Sequence, residues 1–246
     1  MIDFHSHILP GIDDGSKSIE ESLNMLRKCK KDGIDTVVCT SHCYPTSQDD
    51  IDNYIIKRDN ALLELQNAIA QSGEDLPTLI PACELNLKTD VSQFEHLHKL
   101  CIKDTKYIML EMPLFEDWPE WIYESIYSLI VKGLRPIMVH IDRYPHQIKQ
   151  IPNLYELDVL FQLNTESFLG FFERRASVKF IKGGHAHILG SDMHNTTTRS
   201  STYAEGIAVI KKKLGDKYLA YFEENGRAIL NNEHVSRSSY KKLSEK

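Results

Sequence analysis

The chain opens with two histidines and two aspartates whose types and spacing suit a metal site. His5 and His7 end a short apolar run, and Asp13 and Asp14 follow within a few residues. Residues two apart on a β-strand point to the same face, so both imidazoles can reach one ion. An isolated pair of this kind is more often a solvated surface pair than a ligand pair. A metal site therefore needs further ligands elsewhere in the chain.

Further metal-binding side chains stand at or just after the ends of short apolar runs that we predict to be strands. They are His42, Glu84, Glu111, His140, Asp192 and His194. In (β/α) barrels the carboxyl ends of the strands carry the active site. Any one of these residues could be a buried structural group, but the position that they share predicts a metal centre.

The runs that carry these residues alternate with amphipathic stretches. Predicted strands cover residues 2–5, 34–40, 78–83, 106–110, 136–139, 161–164 and 186–190. Predicted helices include a first one that begins at a capping-box signal, Ser18 to Glu21, and ends at Gly33, followed by 51–71, 91–100, 120–132 and 167–182. Six or seven strands that alternate with helices predict an α/β fold, either a parallel barrel or a doubly wound sheet.

Composition and charge limit the class of protein. The 246 residues carry 29 Lys and Arg against 35 Asp and Glu, and the net charge of -6 does not favour a nucleic-acid partner. No run approaches the roughly 18 apolar residues of a membrane span. The opening MIDFHSH lacks the plan of a signal peptide. We expect one cytoplasmic catalytic domain without membrane insertion.

The five cysteines argue against a thiol-based phosphatase. They are odd in number and form no C-x-x-C pair, as expected of reduced thiols. Cys39 and Cys83 lie in apolar, strand-like runs and are expected in the core, whereas Cys43 follows His42 and is a candidate soft ligand or nucleophile. A cysteine phosphatase needs an arginine six residues after its thiolate, and no cysteine here has one.

Several motifs carry a family resemblance. The H-x-H with Asp14, the strand-end residues and the late D-x-H resemble the polymerase-and-histidinol-phosphatase (PHP) superfamily. Within it, the opening HSHILPGIDDGSKSIEESLNML, the HIDRY around His140 and the SDMHN around Asp192 resemble the bacterial PHP-type protein-tyrosine phosphatases of capsule and exopolysaccharide operons. The resemblance extends over nearly the whole chain, to about Asn232.

The resemblance implies a single domain with a distorted (β/α)7 TIM-like barrel (the PHP fold) over residues 1–232, followed by a polar tail, 233–246. It also implies three divalent metals, usually manganese. The implied ligands are His5, His7, Glu84 and Asp192 for the first metal, Glu84, Glu111 and His140 for the second, and Asp14, His42 and His194 for the third. Mixed imidazole and carboxylate ligands suit Mn, Fe or Zn, with Mg also possible, and discriminate weakly among first-row ions.

Phosphate-ester hydrolysis fits this set of residues. Bridging metals lower the pKa of water, which supplies a hydroxide nucleophile, and they neutralise charge on the phosphoryl group. Arg143 and Arg199 match arginines with which the family holds phosphate oxygens, a task that suits a guanidinium better than a lysine. The alternative for both is an ordinary surface ion pair. Tyrosine phosphate is a plausible substrate because its phenol, with a pKa near 10, leaves readily.

Three functions remain open at this point. The leading one is a protein-tyrosine phosphatase that acts on a bacterial tyrosine kinase, whose tyrosine-rich C-terminal tail is the partner that the resemblance implies. The second is a small-molecule phosphatase such as histidinol-phosphate phosphatase, for which a closed polar pocket rather than an open groove is expected. The third is a noncatalytic, metal-stabilised binding module, which would not require the two arginines.

Two aromatic segments and the tail have open roles. Two segments either line the substrate pocket or pack in the core. They are the loop Met112 to Pro119, which is rich in aromatic residues and proline, and the pair Tyr44-Pro45. The polar segment from Arg237 to Lys246 is mildly basic and is expected to fray, or else to contact an acidic phosphopeptide or a neighbouring subunit.

Overall fold

A computed structural model describes residues 1–114 and 117–235. Its strands are β1 (Ile2–Ser6), β2 (Thr36–Cys39), β3 (His42–Cys43), β4 (Thr78–Pro81), β5 (Glu84–Asn86), β6 (Tyr107–Glu111), β7 (Arg135–Met138), β8 (Leu160–Asn164) and β9 (Ile188–Gly190). Its α-helices are α1 (Ile19–Lys31), α2 (Gln48–Ser72), α3 (Glu120–Val131), α4 (Ile151–Glu156), α5 (Phe171–Lys182), α6 (Tyr203–Leu214) and α7 (Asp216–Leu230). Short 3-10 helices cover Val91–Gln93, Leu97–Leu100, Ile141–Arg143 and Thr165–Phe168.

All pairings between these strands are parallel. One sheet has the order β1-β2-β4, and the other has the order β3-β5-β6-β7-β8-β9. β3 follows β2 after two residues, and β5 follows β4 after two residues, so each pair continues in one direction with a short break. The prediction of an α/β fold with parallel strands is confirmed.

The first and last strands are also joined. Ser6 forms a parallel bridge with Met193, the amide of Asp192 donates to the carbonyl of His5 at 2.8 Å, and the amide of His7 donates to the carbonyl of Met193 at 2.9 Å. The parallel sheet is therefore curled, and the carboxyl ends of β1 and β9 lie side by side.

The first helix shows how local sequence places the elements. The Ser18 hydroxyl accepts a hydrogen bond from the Glu21 amide at 3.2 Å and caps α1. The Glu21 carboxylate accepts from the Lys17 amide, so only half of the expected reciprocal capping box forms. Gly33 follows the helix with φ +79°, a left-handed conformation that a glycine adopts without strain. The helix buries Met25, Leu26 and Cys29.

Two predicted helices differ from the observed ones. The segment 91–100 forms two short 3-10 helices because Phe94 is extended and His96 is left-handed, with φ 60°. The helix predicted over 167–182 begins only at Phe171, after the extended Gly170 and a 3-10 turn. Both corrections concern local backbone conformation and leave the order of the strands unchanged.

Within residues 1–114 and 117–235, no helix has the length and apolar character needed to cross a membrane. Phe115 and Glu116 of the aromatic loop, and the polar segment from Arg237 to Lys246, lie outside the described residues.

Candidate metal-dependent active site

The nine predicted ligands lie together at the carboxyl ends of the strands. They are His5 on β1, His7 and Asp14 after it, His42 on β3, Glu84 on β5, Glu111 on β6, His140 after β7, and Asp192 and His194 after β9. All except Asp14 and His42 are buried. Parallel strands direct their carboxyl ends to one edge, which explains why residues so distant in sequence meet.

Four of these side chains converge at the junction of β1 and β9. The Nε2 atoms of His5 and His7 lie 3.2 Å apart. They lie 3.3 and 3.2 Å from Glu84 Oε2, and 3.6 and 3.4 Å from Asp192 Oδ1. The nitrogen and oxygen donors of His5, His7 and Glu84 are close enough together to hold a single ion.

Two neighbouring side chains orient the imidazoles. His5 Nδ1 lies 3.2 Å from Gln162 Oε1, and His7 Nδ1 lies 2.8 Å from Asp13 Oδ2. With one ring nitrogen engaged in this way, the other nitrogen of each histidine is directed at the carboxylates. Proteins commonly orient imidazole ligands of metals by such hydrogen bonds.

Glu84 lies at the centre of a second group. Its Oε1 is 2.8 Å from His140 Nε2, and its Oε2 is 2.9 Å from His42 Nδ1. Glu111 is farther away, with Oε1 3.9 Å from His140 Nε2 and Oε2 4.0 Å from His42 Nδ1. The donors that cluster most closely here are those of His42, Glu84 and Glu111. His42 therefore stands beside Glu111 as His140 does.

A third group lies nearer the surface. Asp14 Oδ1 is 3.5 Å from His42 Nε2 and 3.3 Å from His194 Nε2. The rings of His7 and His194 stack with their centroids 3.8 Å apart, and His7 belongs to this cluster of donors as well. The three groups share His7, His42 and Glu84, so they form one continuous site.

The electrostatics of the site favour positive charge. Burial alone would raise the pKa of the Glu84 carboxyl, but the charge of His5 and the hydrogen bonds of His140 and His42 hold that pKa well below its usual value. Burial would lower the pKa of His7, yet Asp13, Asp192 and Glu84 raise it well above the ordinary range. Ionised carboxylates packed this closely need cations to offset their repulsion.

Two buried atoms support the same interpretation. Within residues 1–114 and 117–235, Glu84 Oε2 and His194 Nε2 are shielded from solvent and have ion-pair contacts to His42 and Asp14, but the geometry of these contacts is not that of a well-directed hydrogen bond. A buried polar atom without a well-directed hydrogen bond is costly in free energy. Both atoms face the groups of candidate ligands described above. Carboxylate oxygen and imidazole nitrogen are both ligand atoms that Mn, Fe and Zn accept. The residues present thus fit divalent metals.

The two predicted phosphate-binding arginines meet at one carboxylate. Arg143 Nη2 lies 2.5 Å from Asp192 Oδ2, and Arg199 Nη2 lies 3.2 Å from both Asp192 oxygens. Arg199 Nη1 is also 3.5 Å from Asp14 Oδ2. About a third of each arginine side chain is exposed, at 34% and 38%. Their guanidinium groups therefore flank the His and carboxylate cluster on a side that solvent reaches.

Two of the candidate ligands have a left-handed backbone conformation. His140 has φ 36° and Asp192 has φ 53°, which is uncommon for residues other than glycine. Hydrogen bonds hold both in place, because the His140 amide donates to Gln162 Oε1 at 2.8 Å and the Asp192 amide donates to the His5 carbonyl. Such conformations concentrate at functional sites.

The sequence reasoning missed the residues that support the ligands. Gln162 Nε2 donates to Asn164 Oδ1 at 2.9 Å, and Asn164 Nδ2 donates to Asp192 Oδ2 at 3.1 Å. Asn86 Nδ2 donates to Glu111 Oε2 at 2.7 Å. The available signal was the pair Gln162 and Asn164, two polar residues that face the same side of an otherwise apolar strand.

The groups of metal-binding side chains found among the described residues contain no cysteine. All five cysteines are buried. Burial raises the pKa of the Cys39 and Cys101 thiols to about 12 and raises that of Cys83 well above its usual value. These thiols are therefore not ionised near neutral pH, and the nucleophilic thiolate that a cysteine phosphatase needs is disfavoured at these positions.

An open groove of about 620 Å³ lies beside the site. Glu111 lines it, and so does Tyr44, whose ring stacks on the candidate ligand His42 with a centroid distance of 5.0 Å. Parts of the aromatic loop line it as well, namely Met112, Pro113, Leu114 and Pro119. Trp118 is instead buried and donates from Nε1 to the Pro113 carbonyl at 3.0 Å.

Comparison with known proteins places the chain in a family. The family model described as "Capsular polysaccharide synthesis, CpsB/CapC" matches residues 1–231. The tyrosine-protein phosphatase YwqE of Bacillus subtilis is 29% identical over 251 residues, which cover 96% of this chain and 94% of that protein. The tyrosine-protein phosphatase CpsB of Streptococcus agalactiae is 27% identical over 254 residues, which cover 96% of this chain and all of that protein.

A solved structure gives the same result. The chain matches a crystal structure from the work described as "Crystal structures of YwqE from Bacillus subtilis and CpsB from Streptococcus pneumoniae, unique metal-dependent tyrosine phosphatases". The TM-score is 0.82, the sequence identity is 26%, and the match covers 96% of each chain. On these grounds, the chain belongs to the CpsB/CapC family of capsular polysaccharide synthesis.

Proposed function

We propose that this chain is a metal-dependent protein-tyrosine phosphatase. The observation that carries the proposal is the convergence of Arg143 and Arg199 on Asp192, at the open side of a cluster of histidines and carboxylates. A metal-stabilised binding module would have no use for two guanidinium groups at that position. The names of the CpsB and YwqE relatives support the same activity.

Manganese is the cofactor that we propose, with three ions held by the nine clustered residues. His5, His7, Glu84 and Asp192 would hold the first, Glu84, Glu111 and His140 the second, and Asp14, His42 and His194 the third. Divalent ions bound there would lower the pKa of water and offset the charge of the phosphoryl group. His42 is close enough to Glu111 to serve the second ion as well.

The protein's own residues bind and orient the substrate. Arg143 and Arg199 present planar, forked donors, which match two oxygens of a phosphate. Their present partner is the Asp192 carboxylate, so phosphate binding would exchange one anion for another. The departing tyrosine oxygen has a pKa near 10 and needs less help from an acid than an alkyl oxygen does.

The groove favours a peptide over a small metabolite. It is open and walled largely by aromatic and apolar side chains, whereas a phosphatase for histidinol phosphate is expected to enclose its polar substrate. We therefore propose a phosphotyrosine protein as substrate, and the tyrosine-rich tail of a bacterial kinase that controls capsule or exopolysaccharide synthesis as the specific partner.

We further propose that the curled sheet is a distorted (β/α)7 barrel within a domain of residues 1–232. β2 and β3 together occupy one strand position of the barrel, and β4 and β5 together occupy another. With the other five strands, they give seven strand positions. The hydrogen bonds between the His5 to His7 segment and Asp192 to Met193 support closure between the first and the last position.

The test compares phosphate release from a phosphotyrosine peptide and from histidinol phosphate. Both are measured after chelation and again after Mn²⁺ is restored. Peptide turnover that disappears with the chelator and returns with Mn²⁺ supports the proposal. A preference for histidinol phosphate would move the function to a small-molecule phosphatase, and no metal-dependent release from either would contradict a phosphatase function.

A further inference from the structure

The groove beside Glu111 carries a lysine at its rim. Lys88 follows β5, four residues after Glu84, and its side chain is exposed. Its ammonium lies 5.9 Å from the centroid of the Tyr44 ring, and both residues line the groove. No carboxylate among residues 1–114 and 117–235 lies within ion-pair distance of this ammonium. Within the part of the chain that the structure describes, the groove thus offers a positive charge without an ion-pair partner.

Backbone and side-chain hydrogen bonds fix the position of Lys88 relative to the site. The Lys88 amide donates to Asn86 Oδ1 at 3.0 Å, and Asn86 Nδ2 donates to Glu111 Oε2 at 2.7 Å. The Leu87 amide donates to the Glu111 carbonyl at 2.9 Å. Lys88 is therefore tied to the ends of β5 and β6, the two strands that carry the candidate metal ligands Glu84 and Glu111.

Apart from Asn86 and Glu111, the rest of the groove lining is apolar and aromatic. Tyr44 is 54% exposed, and Trp121 of α3 is partly buried at the groove wall, while Met112 and Ile122 are buried beneath it. Aromatic walls with a few charged groups are typical of sites that bind peptide side chains. A free phosphate or a small sugar phosphate would leave most of this surface without a partner.

We propose that this groove binds the segment that flanks the phosphotyrosine, and that Lys88 pairs with an acidic side chain in that segment. This inference rests on the proposed phosphatase function and adds the sequence preference of its substrate. Lys88 is a specificity-determining residue in this proposal, since it contacts the flanking segment and not the phosphate.

Chain geometry limits where the acidic residue can lie. Four residues span at most about 14 Å when extended, which is the greatest separation of the Lys88 and Glu84 backbones. An extended peptide covers the same distance in about four residues. The acidic side chain is therefore expected within four positions of the phosphotyrosine, on one of its two sides.

The test uses the Mn²⁺-loaded protein and a set of synthetic phosphotyrosine peptides. Members of the set differ in carrying Glu, Gln or Lys at the four positions before the phosphotyrosine or at the four positions after it. The measured quantity is the ratio of kcat/KM for the Glu and Gln peptides on the same enzyme. A general loss of activity in a variant cancels in this ratio.

The wild-type protein is expected to prefer the Glu peptide on one side by roughly two- to fivefold, the range of an exposed ion pair, and less at high salt. Lys88→Gln should bring the ratio close to one, and Lys88→Glu should favour the Lys peptide. Lys212→Gln is the matched control, because Lys212 is an exposed lysine of α6 outside the groove lining. That variant should keep the wild-type ratio.

Two results would overturn the inference. A wild-type ratio of one on both sides would show that the groove does not select acidic segments, and a preference that survives in Lys88→Gln would assign it to another residue. In both cases the neutral peptide is still hydrolysed, so the proposed phosphatase function stands. Absence of metal-dependent hydrolysis of every peptide would instead remove the phosphatase function itself, and this inference with it.

Discussion

One side-chain oxygen holds two candidate metal ligands in place: Gln162 Oε1 lies 3.2 Å from His5 Nδ1 and accepts the amide of His140 at 2.8 Å. The first contact directs the His5 ring toward Glu84 and Asp192. The second supports the left-handed backbone at His140. Gln162 thus connects two of the proposed metal sites without being a ligand of either.

Replacing Gln162 by leucine should weaken metal binding. Loss of the hydrogen bond frees the His5 ring to rotate, and loss of such partners typically costs about 10- to 100-fold in metal affinity. The measurement is a titration of the apo protein with Mn²⁺ by calorimetry. Gln147→Leu, which removes another buried glutamine, is the control for a general loss of packing. Unchanged Mn²⁺ affinity in Gln162→Leu would contradict the orienting role.

The two arginines should affect turnover and not metal content. Arg143→Ala or Arg199→Ala removes a donor for the phosphate oxygens, and loss of a comparable transition-state donor costs about 10²- to 10³-fold in rate. We expect a similar drop in kcat/KM with a phosphotyrosine peptide, while the bound metal measured by mass spectrometry stays at the wild-type level.

Arg227→Ala serves as the control for this pair. Arg227 is an exposed residue of α7 that pairs with Glu223, and its loss should change neither quantity. Loss of metal in both Arg143→Ala and Arg199→Ala would show that these residues support the metal site and do not bind phosphate.

Gly190 offers a test of how tightly β9 packs against β1. A Cβ atom at this position would lie 2.5 Å from the His5 Cβ and 2.8 Å from Gln162 Nε2. Gly190→Ala should therefore push His5 out of position and lower the free energy of unfolding by about 1–3 kcal/mol, as overpacking does. Denaturant unfolding and Mn²⁺ titration measure the two effects.

The matched control for overpacking is Gly206→Ala. A Cβ there would lie 2.8 Å from the Cβ and the carbonyl oxygen of Thr165, which is also closer than real Cβ contacts, but the contact does not involve a predicted ligand. It should lower stability and leave Mn²⁺ affinity intact. Equal Mn²⁺ affinity in Gly190→Ala and the wild type would argue against a role of this contact in placing His5.

The sequence predicts the position of the candidate site because strand direction fixes it. Glu84 and His140 lie 56 residues apart but are in contact, since both stand where parallel strands end. What the pattern does not predict is which neighbours orient the ligands. The sequence around a glutamine in a buried strand, such as Gln162, does not indicate which histidine its side chain contacts.

The backbone of 91–100 was mispredicted for a related reason. The Glu95 amide donates to Gln48 Oε1 at 2.7 Å, and His96 Nδ1 lies 2.8 Å from Asp52 Oδ1. Both partners belong to α2, more than 40 residues away in sequence. Contacts with a distant helix therefore accompany the break in a segment whose apolar spacing alone favours one continuous helix.

Metal binding should stabilise the folded protein. A ligand that binds the native state alone adds about 2.7 kcal/mol per site at a free concentration of 100 times its Kd. For a chain of this size, each 1 kcal/mol raises Tm by roughly 2–4 °C. Mn²⁺ in excess should thus raise the Tm of chelator-treated protein by about 5–10 °C for each site filled, as measured by scanning calorimetry.

Glu84→Gln is the decisive variant for this prediction. Glu84 contacts His5, His7, His42 and His140. The amide replaces an ionised carboxylate with a neutral group of the same shape, so the repulsion between carboxylates falls while the affinity for cations is lost. The variant's Tm should rise less with Mn²⁺ than that of the wild type, because Glu84 belongs to two of the three proposed ion sites. Glu64→Gln on the exposed face of α2 should respond as the wild type does. A Tm of the wild-type protein that is the same with chelator and with Mn²⁺ would contradict the metal centre.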